Sequence, residues 1–178
     1  MTPPNSTRRP RLSPVDTGAD ALFVYGTLRF RRILTALLGQ VPPAAGATAS
    51  GWRTAALRNR PYPGLVPAPG RTAHGLLLTG LTAHEWRVLD DFEDDAYELR
   101  TLVLDRGDEA DGAGRTGSSA GPDRTGRAAP RRAWAYVWAS PSEIRPADWE
   151  ADTFAEARLD GYAARLEAAA LRTQAGRR

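Results

Sequence analysis

Cysteine and lysine are both absent from this chain of 178 residues. Without a thiol there can be no disulfide, no thiolate metal site and no cysteine nucleophile, so nothing calls for an oxidising compartment. Without lysine, all 24 cationic side chains are arginine, a bias of the kind a GC-rich coding genome produces. Histidine is nearly absent too: His74 and His84 stand alone, which is short of an ordinary zinc site or a catalytic triad. No stretch approaches the roughly 20 apolar residues of a membrane helix. Arg8, Arg9 and Arg11 are followed by no apolar run that could form a signal-peptide core. The arginines are spread among 21 acidic residues, leaving a net charge of +3 and no basic stripe, so the composition carries no sign of a nucleic-acid partner. The expectation is a cytoplasmic protein with neither nucleic acid nor membrane as partner, either a monomer or a weak dimer.

Glycine and proline, 17 and 14 in number, gather where apolar periodicity fails. Residues 1 to 18 are rich in Pro, Ser, Thr and Arg and read as a disordered leader. A Gly, Ser, Asp and Arg tract from about 105 to 132 lies between two strand-like runs and reads as a flexible insert in a hairpin connection. With a tail at 173 to 178, one domain is expected over 19 to 172, within the usual size of a single core.

Inside that domain the pattern is mixed. Leu22-Phe23-Val24-Tyr25 is a short apolar strand stopped by Gly26-Thr27, and Ile33, Leu34, Leu37 and Leu38 follow at helical spacing before Gly39 as a C-terminal cap. Residues 51–57 and 74–81 read as strands joined through the turn-forming loop at 59–64. Thr82-Ala83-His84-Glu85 fits a capping box, and Trp86, Leu89 and Phe92 give the helix behind it an apolar stripe. Residues 97–104 alternate as a strand expected to become buried on both faces toward its end, and it is expected to pair with 133–138 across the insert. A final helix is expected from about Asp152 to Arg172.

Two places carry possible chemistry. Asp90, Asp91, Glu93, Asp94 and Asp95 crowd the C-terminal end of the capped helix, where the macrodipole disfavours negative charge. Local rules tend to be broken at functional sites, and like charge with partial burial raises a carboxylate's pKa toward proton-shuttling range. A solvated acidic helix end and a divalent-metal site are the other readings of the same segment. The second place is Tyr25-Gly26-Thr27-Leu28, a strand that passes through glycine into a helix and so leaves backbone N–H groups able to hold an anion. A β-carbon at Gly26 is expected to project into the space that such a ligand needs. The Trp134, Tyr136 and Trp138 stripe reads as core rather than as a base-stacking platform.

Taken as a pair, Phe23-Val24-Tyr25-Gly26-Thr27-Leu28-Arg29 and Leu89-Asp90-Asp91-Phe92-Glu93, followed by Tyr97 and Arg100, resemble the motifs of the γ-glutamylcyclotransferase-like family. Tyr136-Val137-Trp138 and the stretch from Trp149 to Tyr162 are similar to the branch that includes the plant avirulence-induced proteins. The resemblance implies an α+β fold, a compact mixed β-barrel flanked by helices. It also implies an enzyme that cyclises a γ-glutamyl amine or peptide to 5-oxoproline and releases the amine. Glu93 matches the family's catalytic general base and acid. The backbone of Gly26, Thr27 and Leu28 matches its substrate loop, with Tyr25 and Tyr97 beside it. No metal or cofactor is implied. Asp94 and Asp95 stand where many relatives place glycine. The alternative is a non-catalytic module that binds a small ligand in the same pocket and acts through a protein partner.

Overall fold

A computed structural model describes residues 11–106 and 131–175. The first ten residues of the expected leader, nearly all of the expected insert and the last three residues of the tail lie outside the described residues. Arg11 to Gly18 form turns on the domain, with Leu12 and Val15 packed against its core.

The elements run β1 (Leu22–Val24), α1 (Arg31–Leu38), β2 (Ala44–Leu57), β3 (Gly64–Leu78), α2 (Ala83–Phe92), β4 (Tyr97–Arg106), β5 (Arg131–Trp138), β6 (Ile144–Asp148), α3 (Ala151–Ala157) and α4 (Leu159–Ala175). Five strands close into a mixed barrel in the order β3-β1-β5-β4-β2 and back to β3, while β6 extends the sheet beyond β2. Only β1 with β5 is parallel, Leu22 opposite Trp134; the other pairings are antiparallel. β2 serves three neighbours, which requires it to bend. The bend falls at an irregularity between Ser50 and Trp52, where Gly51 has φ +82°, a conformation that a side chain would strain.

Two apolar layers result from the period of the strands. Phe23, Ala49, Leu65, Ala73, Leu102, Leu104, Ala133, Ala135 and Val137 of the strands form a cluster with Tyr25, just past β1, and its many alanines suit the narrow interior of a small barrel. The alternate residues, among them Leu22, Val24, Tyr97, Tyr136 and Trp138, pack outward against Ile33, Leu34, Trp86, Leu89 and Phe154 of the helices. β4 corrects the expectation of burial on both faces: Leu102 and Leu104 are buried, but Val103 between them is 56% exposed. Helices cover the outer face near Tyr97 and Leu99 but not near Val103, so burial changes face along the strand.

Local signals explain several boundaries. Thr82 accepts from the Glu85 amide at 3.2 Å and Glu85 accepts from the Thr82 amide at 2.8 Å, a reciprocal cap worth about 1 kcal/mol. Gly39 ends α1 in the left-handed region, φ +74°. The expected strand at 51–57 is the end of β2, which starts at Ala44, and the expected strand at 74–81 falls on the end of β3, which starts at Gly64 and stops at Leu78. Small residues in the earlier half of each strand pair as well as the apolar ones. The expected final helix is divided at Arg158, whose φ of −138° interrupts the ladder between α3 and α4.

Gly64 is held to glycine by close approach. A β-carbon there would stand 2.6 Å from Cβ and 2.8 Å from Cγ of the buried Trp138. Gly64→Ala is expected to lower stability by about 1–3 kcal/mol, the usual cost of overpacking, read as a lower urea midpoint at unchanged m.

Candidate active site

β1 delivers the first wall of the site. Past Val24 the chain leaves the barrel through Tyr25 and Gly26 into one turn of 3₁₀ helix at Thr27–Arg29. Its bonds run from the Arg29 amide to Gly26 O, 3.0 Å, and from the Phe30 amide to Thr27 O, 3.2 Å. The amides of Thr27 and Leu28 precede the first rung of that ladder.

α2 delivers the opposite wall. It ends at Phe92, and Glu93 is its C-cap in extended conformation, with its amide bonded to Leu89 O at 3.2 Å. Leaving the helix there swings the side chain off the α2 stripe and into a cavity of about 150 Å³ between α2, the 25–28 loop and α4. Tyr25, Gly26, Thr27, Leu28, Glu93 and Tyr97, singled out from the sequence, all line this cavity. Tyr62, Pro63, Tyr136 and Tyr162 line it as well, and none of them was legible as a site residue. They come from three separate parts of the chain: Tyr62 and Pro63 belong to the turn-forming loop at 59–64, and Tyr136 and Tyr162 carry only the signature of core aromatics.

The tyrosines form a fixed lining. Tyr25 donates to Tyr136 O at 2.6 Å, Tyr97 to Pro63 O at 2.5 Å and Tyr136 to the Asp90 carboxylate at 2.9 Å. Burial first, and the nearby Glu93 charge among lesser causes, pushes the Tyr25 and Tyr97 phenols well above their ordinary value, so both remain neutral donors. Tyr162 is pushed up to about 12, again chiefly by burial.

The two neighbouring acids of the turn are driven apart. Glu93 keeps some accessible surface because it faces the cavity, yet it lies deep in the protein, and desolvation pushes its carboxyl up to about 8. Arg11 opposes that shift; Asp90 and Asp94 add to it. Asp94 moves the other way: the Ala96 amide, at 2.9 Å, is the leading cause holding it below its usual range, against desolvation and with help from Tyr62 and Arg60. Asp94 also pairs with Arg60 at 2.8 Å and accepts from Tyr62 at 3.1 Å. Two acids adjacent in sequence thus differ in proton affinity, Glu93 above and Asp94 below its ordinary range. Among the described residues no group of three or more acidic, histidine or cysteine side chains is gathered as a metal site.

Gly26 is also held by close approach. A β-carbon at 26 would stand 2.7 Å from Cγ and 3.0 Å from Cδ of Pro63, itself part of the cavity lining. Glycine is needed here for packing between two loops, with φ −113° making no demand of its own.

The acid-rich helix end has its own answer. Arg11, read in the sequence as part of a leader, reaches the C-terminus of α2 and donates to Asp90 O at 2.6 Å, Glu93 O at 3.2 Å, Asp94 O at 3.0 Å and Tyr97 O at 3.1 Å. Its Nε stands 2.9 Å from the Asp90 carboxylate. The cation that the macrodipole calls for is present, supplied from nearly eighty residues away in sequence.

A closed mixed barrel with flanking helices carries a cavity lined by Glu93 and by the loop at Tyr25, Gly26, Thr27 and Leu28. The chain belongs to the gamma-glutamyl cyclotransferase, AIG2-like family, whose model matches residues 22–151. AIG2-like protein D of Arabidopsis thaliana is 36% identical over 92 residues, which is 50% of this chain and 60% of that protein. AIG2-like protein C of the same plant is 37% identical over 83 residues, 47% of this chain and 48% of that protein, so the chain spans about half the length of these curated relatives. Among solved structures, a solution structure of an Arabidopsis thaliana protein superposes with a TM-score of 0.57 at 23% identity, covering 84% of this chain and 89% of that one. A structure described as gamma-glutamyl cyclotransferase gives 0.50 at 9% identity, covering 84% and 87%. At these identities the two likenesses bear on the fold, a mixed barrel with flanking helices.

Proposed function

We propose that the protein cyclises a γ-glutamyl amine or peptide to 5-oxoproline and releases the amine, with Glu93 as the single proton shuttle. The observation that carries this reading is that a carboxyl pushed up to about 8 lines the same cavity as the amide-bearing loop at Gly26, Thr27 and Leu28.

The reaction is intramolecular acyl transfer. The substrate's α-nitrogen attacks its own γ-carbonyl, a new C–N bond closes the ring, and the bond to the leaving nitrogen breaks. One proton leaves the α-nitrogen, which attacks as the neutral amine, and one reaches the departing amine; Glu93 in its ionised form, the minority form near neutrality, accepts the first and returns it, so it ends the cycle as it began. A carboxyl titrating near 8 approaches the range of the amines it serves, which keeps both transfers close to balanced. Amides of Thr27 and Leu28 offer donors for the charge that gathers on the carbonyl oxygen, and neutral Tyr25 and Tyr97 shape the wall beside them. Holding the glutamyl chain curled supplies much of the rate, since effective molarities of intramolecular reactions reach about 10⁵ M or more. Every proton in the step comes from substrate or Glu93, so no cofactor is called for.

Incubation of the purified protein with a panel of γ-glutamyl peptides and amines tests the proposal. The expected result is 5-oxoproline and free amine in equal amounts from at least one member. Binding without product across the whole panel would instead support a non-catalytic module that acts through a protein partner.

A further inference from the structure

One buried cation faces the site from outside the reaction scheme. The Arg11 side chain is 12% exposed and that of its ion-pair partner Asp90 13%. The guanidinium stands over the Tyr136 ring, 5.4 Å from its centroid, while the Tyr136 hydroxyl donates to the same Asp90 carboxylate. Its hydrogen bonds fall on the carbonyls of Asp90, Glu93, Asp94 and Tyr97, the whole passage from the last turn of α2 to the first residue of β4.

We propose that Arg11 is a positioning residue for Glu93: the N-terminal turn lays a planar fork across the 90–97 passage and so fixes where the catalytic carboxyl stands. This rests on the role of Glu93 proposed above. The geometry exceeds what closing a helix requires. A cap for α2 needs donors only for the last carbonyls of the helix, but this fork also ties the carbonyl of Glu93 itself and those of Asp94 and Tyr97 beyond it. Lysine, a single point of charge, cannot span four acceptors in this way.

Arg11 also bears on the proton. The groups that face Glu93 are Arg11 from the N-terminal turn, Asp90 from α2, Asp94 from the turn after it, Tyr25 from the loop after β1, Tyr97 from β4, Tyr136 from β5 and Tyr162 from α4. Arg11 is the cation in this set, and the two carboxylates act against it. Removing the cation takes away the charge that lowers Glu93 while the Asp90 and Asp94 carboxylates stay, the latter still paired with Arg60, and so raises the proton affinity of Glu93.

Arg11→Met and Arg11→Lys test the proposal by two independent readouts. The first is kcat and KM for 5-oxoproline release across pH; the second is the carboxyl ¹³C titration of Glu93, which needs no turnover. In Arg11→Met, kcat is expected to fall roughly tenfold or more with KM changed less than about threefold. The Glu93 midpoint and the rising limb of kcat/KM are expected to move to higher pH by about one unit or more. Arg11→Lys is expected to restore the titration and not kcat, because it keeps the charge and loses the fork. An Arg11→Met protein that melts earlier but keeps the wild-type kcat and titration overturns the proposal, leaving a structural cap. So does an Arg11→Lys protein whose Glu93 titrates as in Arg11→Met. If the wild type releases no 5-oxoproline from any substrate, the reaction is wrong, and an unchanged Glu93 midpoint in Arg11→Met then overturns the positioning role by itself.

Discussion

Glu93→Gln is expected to give a folded protein whose kcat/KM for 5-oxoproline release is lower by about 10²–10⁴-fold, the range that general acid–base catalysis supplies. Glutamine keeps the shape and polarity of the side chain and removes only its ability to take and return a proton. The same substitution has a pH signature in stability. Wild-type Glu93 titrates near 8 in the folded protein against an ordinary 4.5. Below about pH 4.5 both states hold the proton and the group contributes nothing. Between 4.5 and 8 the unfolded chain has released a proton that the folded protein keeps, so stability falls as pH rises through that window. Glutamine has no such proton, so the two proteins should melt alike near pH 4 and diverge by pH 8 in favour of Glu93→Gln. The gap should be on the order of 2 kcal/mol or more, once solvent access through the cavity mouth is allowed for. Calorimetric melting at both pH values measures it. Wild-type turnover in Glu93→Gln would move proton transfer to Asp91 or Asp94, and identical melting at pH 8 would show that Glu93 is not the buried acid described here.

Gly26→Val is expected to damage stability and catalysis together. The new β-carbon would fall 2.7 Å from Pro63 Cγ, and branching enlarges the conflict, so the 25–28 loop and the 61–63 loop must separate. Stability should drop by about 1–3 kcal/mol. Displacing the Thr27 and Leu28 amides by even an ångström should lower kcat/KM by about 10²-fold. Thr27→Ala removes only a buried hydroxyl, at a cost of roughly 0.5–1.5 kcal/mol, and leaves the amides where they are. The decisive comparison is the double variant Gly26→Val with Pro63→Ala. Trimming the proline ring removes the atoms in conflict, so it should recover much of the lost stability and activity, a strong non-additivity between neighbours. If the β-carbon obstructs ligand instead, Pro63→Ala will bring no recovery. If Thr27→Ala is the more harmful single change, recognition runs through the hydroxyl.

Much of this arrangement is written locally in the chain. The step from strand through glycine to helix at 22–38, the capping box at Thr82 and the acidic end of α2 each depend on residues within about four positions of one another. The pairing of 97–104 with 131–138 follows from two alternating runs and is present in full register, Tyr97 opposite Trp138 and Leu104 opposite Arg131. The acidic end of α2 stood out because negative charge there contradicts its local setting, and the motif resemblance singled out Glu93 among its five acids.

Two features had no local signal. Val103 reads as core by alternation, but whether a strand face is buried depends on which helix lies over it, and none covers that end of β4. Arg11 reads as one arginine in a proline-rich leader, because its four carbonyl partners lie between 79 and 86 residues away.

The sequence by itself carried the step from strand through glycine to helix and the capped helix with its acidic end, since capping and turn chemistry act through neighbours in the chain; the class of fold and the choice of Glu93 among five acids came from its resemblance to a family. Tertiary structure alone decided the environment of that acid. Barrel closure brings Tyr62, Tyr136 and Tyr162 around one cavity, seats Pro63 against Gly26 and carries Arg11 onto the end of α2. Desolvation and charge act through space, so the proton affinity of Glu93 is a property of the closed barrel, and no stretch of neighbouring residues encodes it.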